Sequence, residues 1–289
     1  MPELPEVEVV KRSLENLIVK LNIIYIKINY DNMRYKVKKH EINQIIGLKI
    51  IKIKRRSKYL LFFFNKDVIM ICHLGMTGKF FFIDSKKNKS KTSFYYNIND
   101  SKDTKHNHII FNFKNRSKLI YNDVRKFGFI KFDLLKKFTK NPHLKMLGPE
   151  PLGKKFNFEY FKNYLKGKNR IIKNILMDQK FVSGLGNIYV NEILFNSKIM
   201  PTRNVRKLKD FELKKILSNT RKILNKAIKL GGSSIKNFSN SAGKSGSFQQ
   251  HFSVYGKKGE KCSNTDCNGE VEKVALFNRA SFFCSICQK

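Results

Sequence analysis

Long apolar runs are absent from this chain. No stretch approaches the roughly 18–20 residues of a membrane-spanning helix. The 289 residues, 41% hydrophobic and 28% charged, are enough for two domains with separate cores. A basic segment is also missing from the N-terminus, where Glu3, Glu6 and Glu8 stand instead, so no export signal is visible. The expected compartment is the cytoplasm or, in a bacterium, the nucleoid. Acidic residues are scarce, 22 against 59 basic ones, for a net charge of +37. Such an excess favours a polyanionic partner. Only eleven of the basic residues are arginine, and Asn and Ile are abundant beside the lysines, a bias that suits an AT-rich genome. The charge therefore supports nucleic-acid binding without establishing it, since RNA or an anionic lipid surface would meet the same requirement. Cysteine is rare until the end. Cys72, inside Val68-Ile69-Met70-Ile71, reads as a buried thiol, and the other four crowd the last 28 residues.

The chain opens Pro2-Glu3-Leu4-Pro5-Glu6-Val7. A small second residue usually lets the initiator methionine be removed, which would leave Pro2 with a free secondary amine. An α-amino group has a pKa of roughly 8 against about 10.4 for lysine. A useful fraction is thus uncharged near neutral pH and able to attack a carbonyl carbon to form an imine. Glu3 would supply an acid/base group one residue away. Taken alone, the same residues also read as an ordinary chain start, with Pro5 opening a helix.

Apolar residues at 7, 10, 14, 17 and 21 have helical spacing and predict a helix over 5–21, with Pro5 in its first turn and Glu6 and Glu8 at its positive end. From 23 to about 133 the pattern becomes short runs rich in Ile, Phe, Tyr and Val. Strands are expected at 23–30, 48–54, 59–64, 68–72, 79–83, 108–113, 117–121 and 128–133. Many short strands joined by polar turns argue for an antiparallel β-sandwich or barrel. Residues 84–107, rich in Lys, Asn and Ser, read as a long exposed loop. The Pro- and Gly-rich stretch at 141–153 reads as a linker. Helices follow at about 157–166, 169–178, 187–197 and 208–230, with Gly184 and Gly186 making a tight turn before the third. Residues 231–248, rich in Gly, Ser, Asn and Lys, predict a mobile loop.

The cysteines are spaced Cys262-x4-Cys267, then Cys284-x2-Cys287. Two close pairs of thiolates match tetrahedral zinc in a closed structural site, with no position left for water. A pair of disulfides is the competing arrangement, and the expected cytoplasmic compartment disfavours it. Between the pairs, Arg279 lies near a hairpin tip if 271–275 and 281–284 pair. Such a tip is narrow enough to enter a DNA groove, although a tip arginine can equally be only solvated.

Taken together, these segments resemble the formamidopyrimidine-DNA glycosylase family, bacterial enzymes that remove oxidised purines such as 8-oxoguanine. The similarity runs nearly end to end. It covers Pro2 to Glu8, Arg55-Arg56-Ser57-Lys58-Tyr59-Leu60-Leu61, His73-Leu74-Gly75-Met76-Thr77-Gly78, Asp123-Val124-Arg125-Lys126-Phe127-Gly128, Leu147-Gly148-Pro149-Glu150-Pro151-Leu152, Gly184-Leu185-Gly186-Asn187-Ile188-Tyr189, Val254-Tyr255-Gly256 and Arg279-Ala280-Ser281-Phe282-Phe283-Cys284. The resemblance implies an α+β fold: an N-terminal helix on an antiparallel β-sandwich, a helix–two-turn–helix domain and a C-terminal zinc β-hairpin finger, with DNA in the cleft between the domains. The corresponding divisions are 1–133, a linker over 134–153, 154–251 and 252–289, and the 231–248 loop would close over the flipped base.

For individual residues, the resemblance implies that Pro2 is the nucleophile that attacks the sugar C1′. Glu3 is the acid/base group, Lys58 a phosphate anchor that assists β-elimination, and Arg279 a phosphate contact that assists δ-elimination. Glu6 either supports the amine by hydrogen bonding or only complements the helix dipole. Met76, Arg125 and Phe127 match the residues that fill the hole left by the flipped base, Arg125 offering donors to the orphaned cytosine. From periodicity alone, Met76 and Phe127 would read as core. His73, His106, Lys168, Asn169, Arg170 and Asn187 are further DNA contacts, and His73 is also placed to order its own loop. Cys262, Cys267, Cys284 and Cys287 hold one structural zinc. The chain departs from the family at Val124 and Lys126, where Pro and Arg are usual, and in the four-residue spacing of its first cysteine pair, where two is usual. The implied activity is a DNA glycosylase and abasic-site lyase of base-excision repair, acting on damaged double-stranded DNA as a monomer. Two other readings share parts of the pattern: an endonuclease VIII-like glycosylase for oxidised pyrimidines, and a zinc-finger DNA-binding protein without catalysis.

Overall fold

The computed structural model describes residues 1–92, 104–233 and 247–289. Parts of the loops expected at 84–107 and 231–248 therefore lie outside the described residues. The chain divides into two compact units, one of Met1–Lys145 with Leu230–Ser247 and one of Met146–Lys229 with Phe248–Lys289. The sequence reading puts the 231–248 segment with the helices, whereas its described flank belongs to the first unit. The reason is polar: Ser233 donates from both N (2.8 Å) and Oγ (3.0 Å) to Glu6 Oε1.

In the first unit, helix α1 spans Leu4–Ile18 and turns Val7, Val10, Leu14 and Ile18 into the core. A capping box closes its start, with the Glu3 amide donating to Glu6 Oε2 at 2.9 Å. The helix ends three residues earlier than its apolar spacing suggests. Lys20 adopts φ +72° and donates its amide to Ile50 O at 2.8 Å, committing the chain to sheet pairing. Strands β1 (Ile23–Ile28), β2 (Ile50–Arg56), β3 (Tyr59–Phe64), β4 (Val68–His73) and β5 (Lys79–Ile83) follow, then β6 (Lys89–Lys91), β7 (Asn107–Phe113), β8 (Lys118–Asn122) and β9 (Phe129–Leu134). They form two antiparallel sheets, ordered β1-β7-β8-β5-β6 and β2-β3-β4-β9. The core between them draws alternate residues from both, Leu60, Phe62 and Phe64 from β3 and Phe80 and Phe82 from β5, as the inner faces of a sandwich do, while the intervening Leu61, Phe63 and Phe81 are buried as well. Short helix α2 (Lys39–Asn43) and strand β6 are the elements that sequence periodicity misses. α2 buries only Ile42, and β6, Lys-Ser-Lys, carries no apolar pattern.

The second unit is built from α3 (Phe158–Leu165), α4 (Ile172–Met177), α5 (Asn187–Asn196) and α6 (Asp210–Lys229), followed by hairpin β10 (Glu272–Leu276) and β11 (Arg279–Phe283). α5 is buried from Ile188 to Phe195 and packs against α4, α6 and β11, so it is the central element of this unit. A mixed α+β architecture with a helical domain and a C-terminal cysteine cluster agrees with the expected fold class. No helix among the described residues is long and apolar enough to cross a membrane.

Candidate active site and metal centre

The first unit gathers the predicted chemistry around the start of α1. Pro2 and Glu3 are buried, Glu3 to 4% exposure. The terminal amine, carried here by Met1, has its pKa lowered, first by loss of water. The charges of Glu3 and Glu6 raise it, and those of Lys58 and Arg125 lower it. Lys58, itself only 7% exposed, sits in the two-residue turn between β2 and β3. Ser57 precedes it at φ +55°, an unusual conformation for a residue with a Cβ. Arg55 holds that turn in place. Its Nη1 donates to Ser57 O at 3.0 Å and its Nε to Glu8 Oε2 at 2.9 Å. Glu8 lies on α1, so one ion pair fixes the Lys58 turn against the helix that carries the terminal amine. Sequence reasoning assigned no such role to Arg55 or Glu8, since 47 residues separate them.

Two loops present the residues expected to fill the vacated stack. Met76 is 38% exposed and Phe127 45%, and Arg125 is exposed beside them with its guanidinium 4.6 Å from the Phe127 ring centroid. Large apolar side chains left in solvent are informative where they cluster; these two line one open cavity of about 600 Å³ with Met1, Arg34, His73 and Arg125. The loops meet backbone to backbone. A Cβ on Gly75, at φ +62°, would lie 2.4 Å from Gly128 N, and one on Gly128 would lie 1.9 Å from the Tyr121 hydroxyl. Asp123, fully buried, joins them. It accepts from the Thr77 hydroxyl, from Gly128 N at 2.7 Å and from the Tyr121 hydroxyl at 3.4 Å. At the departure Val124-Arg125-Lys126, the Arg125 amide is held by Thr77 Oγ1 at 2.9 Å. Lys126, at φ +58°, lays its amine 3.7 Å from the Tyr30 ring centroid. Asp123, Thr77 and Tyr121 carry no signal of this role in sequence, because their partners lie up to 48 residues away.

His73 stacks on Phe129, centroids 5.6 Å apart at 17°, and its Nδ1 accepts from Gly75 N at 3.0 Å. Its pKa falls to about 4, chiefly through burial and then the charges of Lys58 and Arg34. The neutral ring thus orders the Met76 loop. His106 is half-buried, its ring 6.3 Å from that of His108. His108 is buried, with Nε2 2.8 Å from Asp123 O.

The second unit holds the remaining candidates. β10 and β11 pair with Leu276 opposite Arg279 across a two-residue turn, Phe277 (φ +51°) and Asn278 (φ +56°). Two left-handed residues suit the primed turns that match strand twist. Arg279 is exposed beside that tip. Asn187 begins α5 and donates its Nδ2 to Ala280 O at 2.8 Å. Its Oδ1 is buried without a hydrogen-bond partner among the described residues. Lys173, which the sequence did not single out, donates to Ala280 O at 3.1 Å and to Ser281 Oγ. Burial, and then the nearby Arg279, push its pKa down to about 8. Asn191 Oδ1 accepts from Phe282 N at 2.8 Å. Glu192 accepts from the amides of Ser253, Val254 and Tyr255 at 2.8, 3.0 and 2.9 Å. Lys168 lies over Tyr164, 4.4 Å from its centroid, Asn169 Oδ1 accepts from Asn204 Nδ2 at 2.7 Å, and Arg170 pairs with Asp178 at 3.5 Å. The last two are exposed and Lys168 half-exposed on one short loop.

The sulfurs of Cys262, Cys267, Cys284 and Cys287 lie within 4.8 Å of one another. Cys262 to Cys287 is 3.6 Å and Cys267 to Cys284 is 3.7 Å. Four sulfurs around one tetrahedral ion at about 2.3 Å would stand about 3.8 Å apart, so the donor set fits a metal, and these distances are too long for S–S bonds. The four-residue first spacing has a use here, since it lets Asn264 Nδ2 reach Cys287 Sγ at 3.4 Å while Gly269 N donates to Cys267 Sγ at 3.3 Å.

A helix-capped sandwich, a helical unit and a four-cysteine hairpin together define a DNA-repair glycosylase architecture, and comparison with known proteins agrees. Residues 1–130 match the formamidopyrimidine-DNA glycosylase N-terminal domain and residues 147–239 the formamidopyrimidine-DNA glycosylase H2TH domain. A formamidopyrimidine-DNA glycosylase of Rickettsia bellii is 37% identical over 289 residues, covering both chains completely. That of Rickettsia massiliae is 38% identical over 291 residues, covering 100% of this chain and 97% of the relative. Among solved structures, a complex of Lactococcus lactis Fpg with abasic-site DNA superposes with TM-score 0.84 at 36% identity, covering 99% of each chain. A complex of the same enzyme with N7-benzyl-Fapy-dG DNA also gives TM-score 0.84 at 36% identity, over all of both chains. The chain belongs to the formamidopyrimidine-DNA glycosylase family.

Proposed function

We propose that this protein is a bifunctional DNA glycosylase and abasic-site lyase of base-excision repair, removing oxidised purines such as 8-oxoguanine and formamidopyrimidines from double-stranded DNA. The observation that carries the reading is the chain start itself, where buried Pro2 and Glu3 stand beside a terminal amine of lowered basicity on which the charges of Glu3, Glu6 and Lys58 act. Loss of Met1 would free the nitrogen of Pro2, a residue already buried at this position, as the new terminal amine. A damaged base must leave the stack before its sugar bond can be reached. The uncharged Pro2 nitrogen then forms a bond to C1′ as the glycosidic C–N bond breaks, and the base departs with the bonding pair and gains a proton. Glu3 moves a proton at the sugar ring as it opens, giving the iminium. This electron sink accepts the pair from a C2′–H bond and the 3′ phosphate leaves; a second elimination releases the 5′ phosphate. Lys58 anchors phosphate and assists the first elimination, and Arg279 does so for the second. Met76 and Phe127 prop the stack as apolar wedges, and Arg125 donates to the orphaned cytosine. Asn187, at a helix N-terminus, and the loop of Lys168, Asn169 and Arg170 contact the backbone, as do His73 and His106.

Zinc is the ion that four thiolates suit best. Held by Cys262, Cys267, Cys284 and Cys287, it supplies folding energy to a hairpin with little core of its own. The expected compartment is the bacterial cytoplasm.

Borohydride trapping tests the reading on two duplexes, one carrying 8-oxoguanine opposite cytosine and one an oxidised pyrimidine. The expected result is a covalent adduct on the first, mapped to Pro2. An adduct only on the second would move the protein to an endonuclease VIII-like specificity. No adduct on either, with Pro2 exposed and zinc bound, would leave a DNA-binding protein without the chemistry.

A further inference from the structure

Packing leaves the trio Met76, Arg125 and Phe127 partly open, with Met76 38% and Phe127 45% exposed. A directed chain of hydrogen bonds joins the two loops that carry it. The Arg125 amide donates to Thr77 Oγ1 and the Thr77 hydroxyl donates to Asp123 Oδ1. Asp123 Oδ2 takes the Gly128 amide and the Tyr121 hydroxyl. Thr77 Oγ1 accepts the Arg125 amide on a lone pair, and its single proton is left to point at Asp123 Oδ1. Thr77 belongs to the Met76 loop, whereas Asp123 and Gly128 bracket the Arg125 loop. The relay therefore fixes one loop to the other at the residue whose guanidinium reads the opposite base. That guanidinium lies 4.6 Å from the Phe127 ring centroid, and a side-chain donor discriminates between bases only if its angle is held.

We infer that Asp123, acting through Thr77, is a positioning residue that sets preference for cytosine over adenine opposite the lesion. The inference rests on the glycosylase reading above. Its test is single-turnover cleavage of 8-oxoguanine paired with cytosine or with adenine, by the wild type, Thr77→Val and Thr77→Ser. Thr77→Val removes both relay bonds at nearly constant volume and should lower the cytosine-to-adenine rate ratio about fivefold, the loss expected from one hydrogen bond. Thr77→Ser keeps the hydroxyl and should restore the ratio to within about twofold. An unchanged ratio in Thr77→Val, or equal losses on both duplexes, would overturn the assignment by reducing Thr77 to a fold-stabilising residue. Amide hydrogen exchange in the wild type gives a second, variant-free reading. The Arg125 N–H should exchange at least about tenfold more slowly than an unprotected amide, and an unprotected Arg125 amide sinks the relay. Failure of wild-type trapping would instead remove the glycosylase reading, with the exchange result still deciding the relay.

Discussion

The sandwich loops and the C-terminal hairpin solve the same problem, holding exposed functional side chains still, with different materials. Beneath the loops lies an apolar core drawn from α1 and both sheets, running from Val7 to Ile130. The polar links there need only join one loop to the other, as Asp123 and Thr77 do. Beneath the hairpin the buried cluster is Phe195, Val254, Val271 and Phe282 with two of the cysteines. Position comes instead from sulfurs suited to a metal and from buried polar anchors, namely Lys173, Asn191, Glu192 and Gln288, whose Oε1 accepts from Cys284 N at 2.9 Å. A region with enough core can spend its hydrogen bonds on geometry, whereas a region without one needs them, and an ion, to fold at all.

The strongest way to break this contrast is to strip the metal. Chelation should unfold the hairpin and lower affinity for lesion DNA about 100-fold or more, a loss of roughly 2.7 kcal/mol, while the sandwich keeps its melting transition. Limited proteolysis confined to 252–289, read beside a thermal scan, checks both halves of that expectation. Next is Gly128→Ala, which should do the reverse. Its Cβ would fall 1.9 Å from the Tyr121 hydroxyl and 2.8 Å from His73 O, so about 3 kcal/mol of sandwich stability should be lost by overpacking. One zinc per chain should remain bound, as metal analysis would report. Smallest is a pH effect. Folded His73 has a pKa lowered to about 4 from 6.5, so the unfolded chain binds more protons between those values. Stability from this residue is then full above about pH 6.5 and is lost progressively as pH falls toward 4. Melting temperatures across that window should flatten in His73→Gln; an unchanged slope would mean that another group titrates there.

Much of this molecule is legible residue by residue. The short apolar run Tyr59–Phe64, rich in aromatics, announces β3, and helical spacing from Val7 to Leu14 announces α1, because burial of one helix face leaves a local periodic trace. The cysteine pairs announce a metal site for a similar reason: ligands from two turns sit at short, recognisable spacings. Pro2 and Glu3 stand out only because their chemistry belongs to a chain terminus. The departures at Val124 and Lys126 could be seen in the sequence, but not the Thr77 contact or the Tyr30 face that accommodate them.

The sequence by itself determined most of the helices and strands, though not α2 or β6, that the cysteines converge, and, through resemblance along its whole length, the family. Only the tertiary structure decided that Arg55 ties the Lys58 turn to Glu8, that Ser233 returns to Glu6, that Lys173 roots the hairpin, and that Asp123 joins two loops. Each of these is a buried or half-buried polar group satisfied by a partner 46 to 227 residues away. A buried polar atom must find a partner, but nothing local in the chain says which one, because that choice is made when the apolar faces close and bring distant backbones within reach.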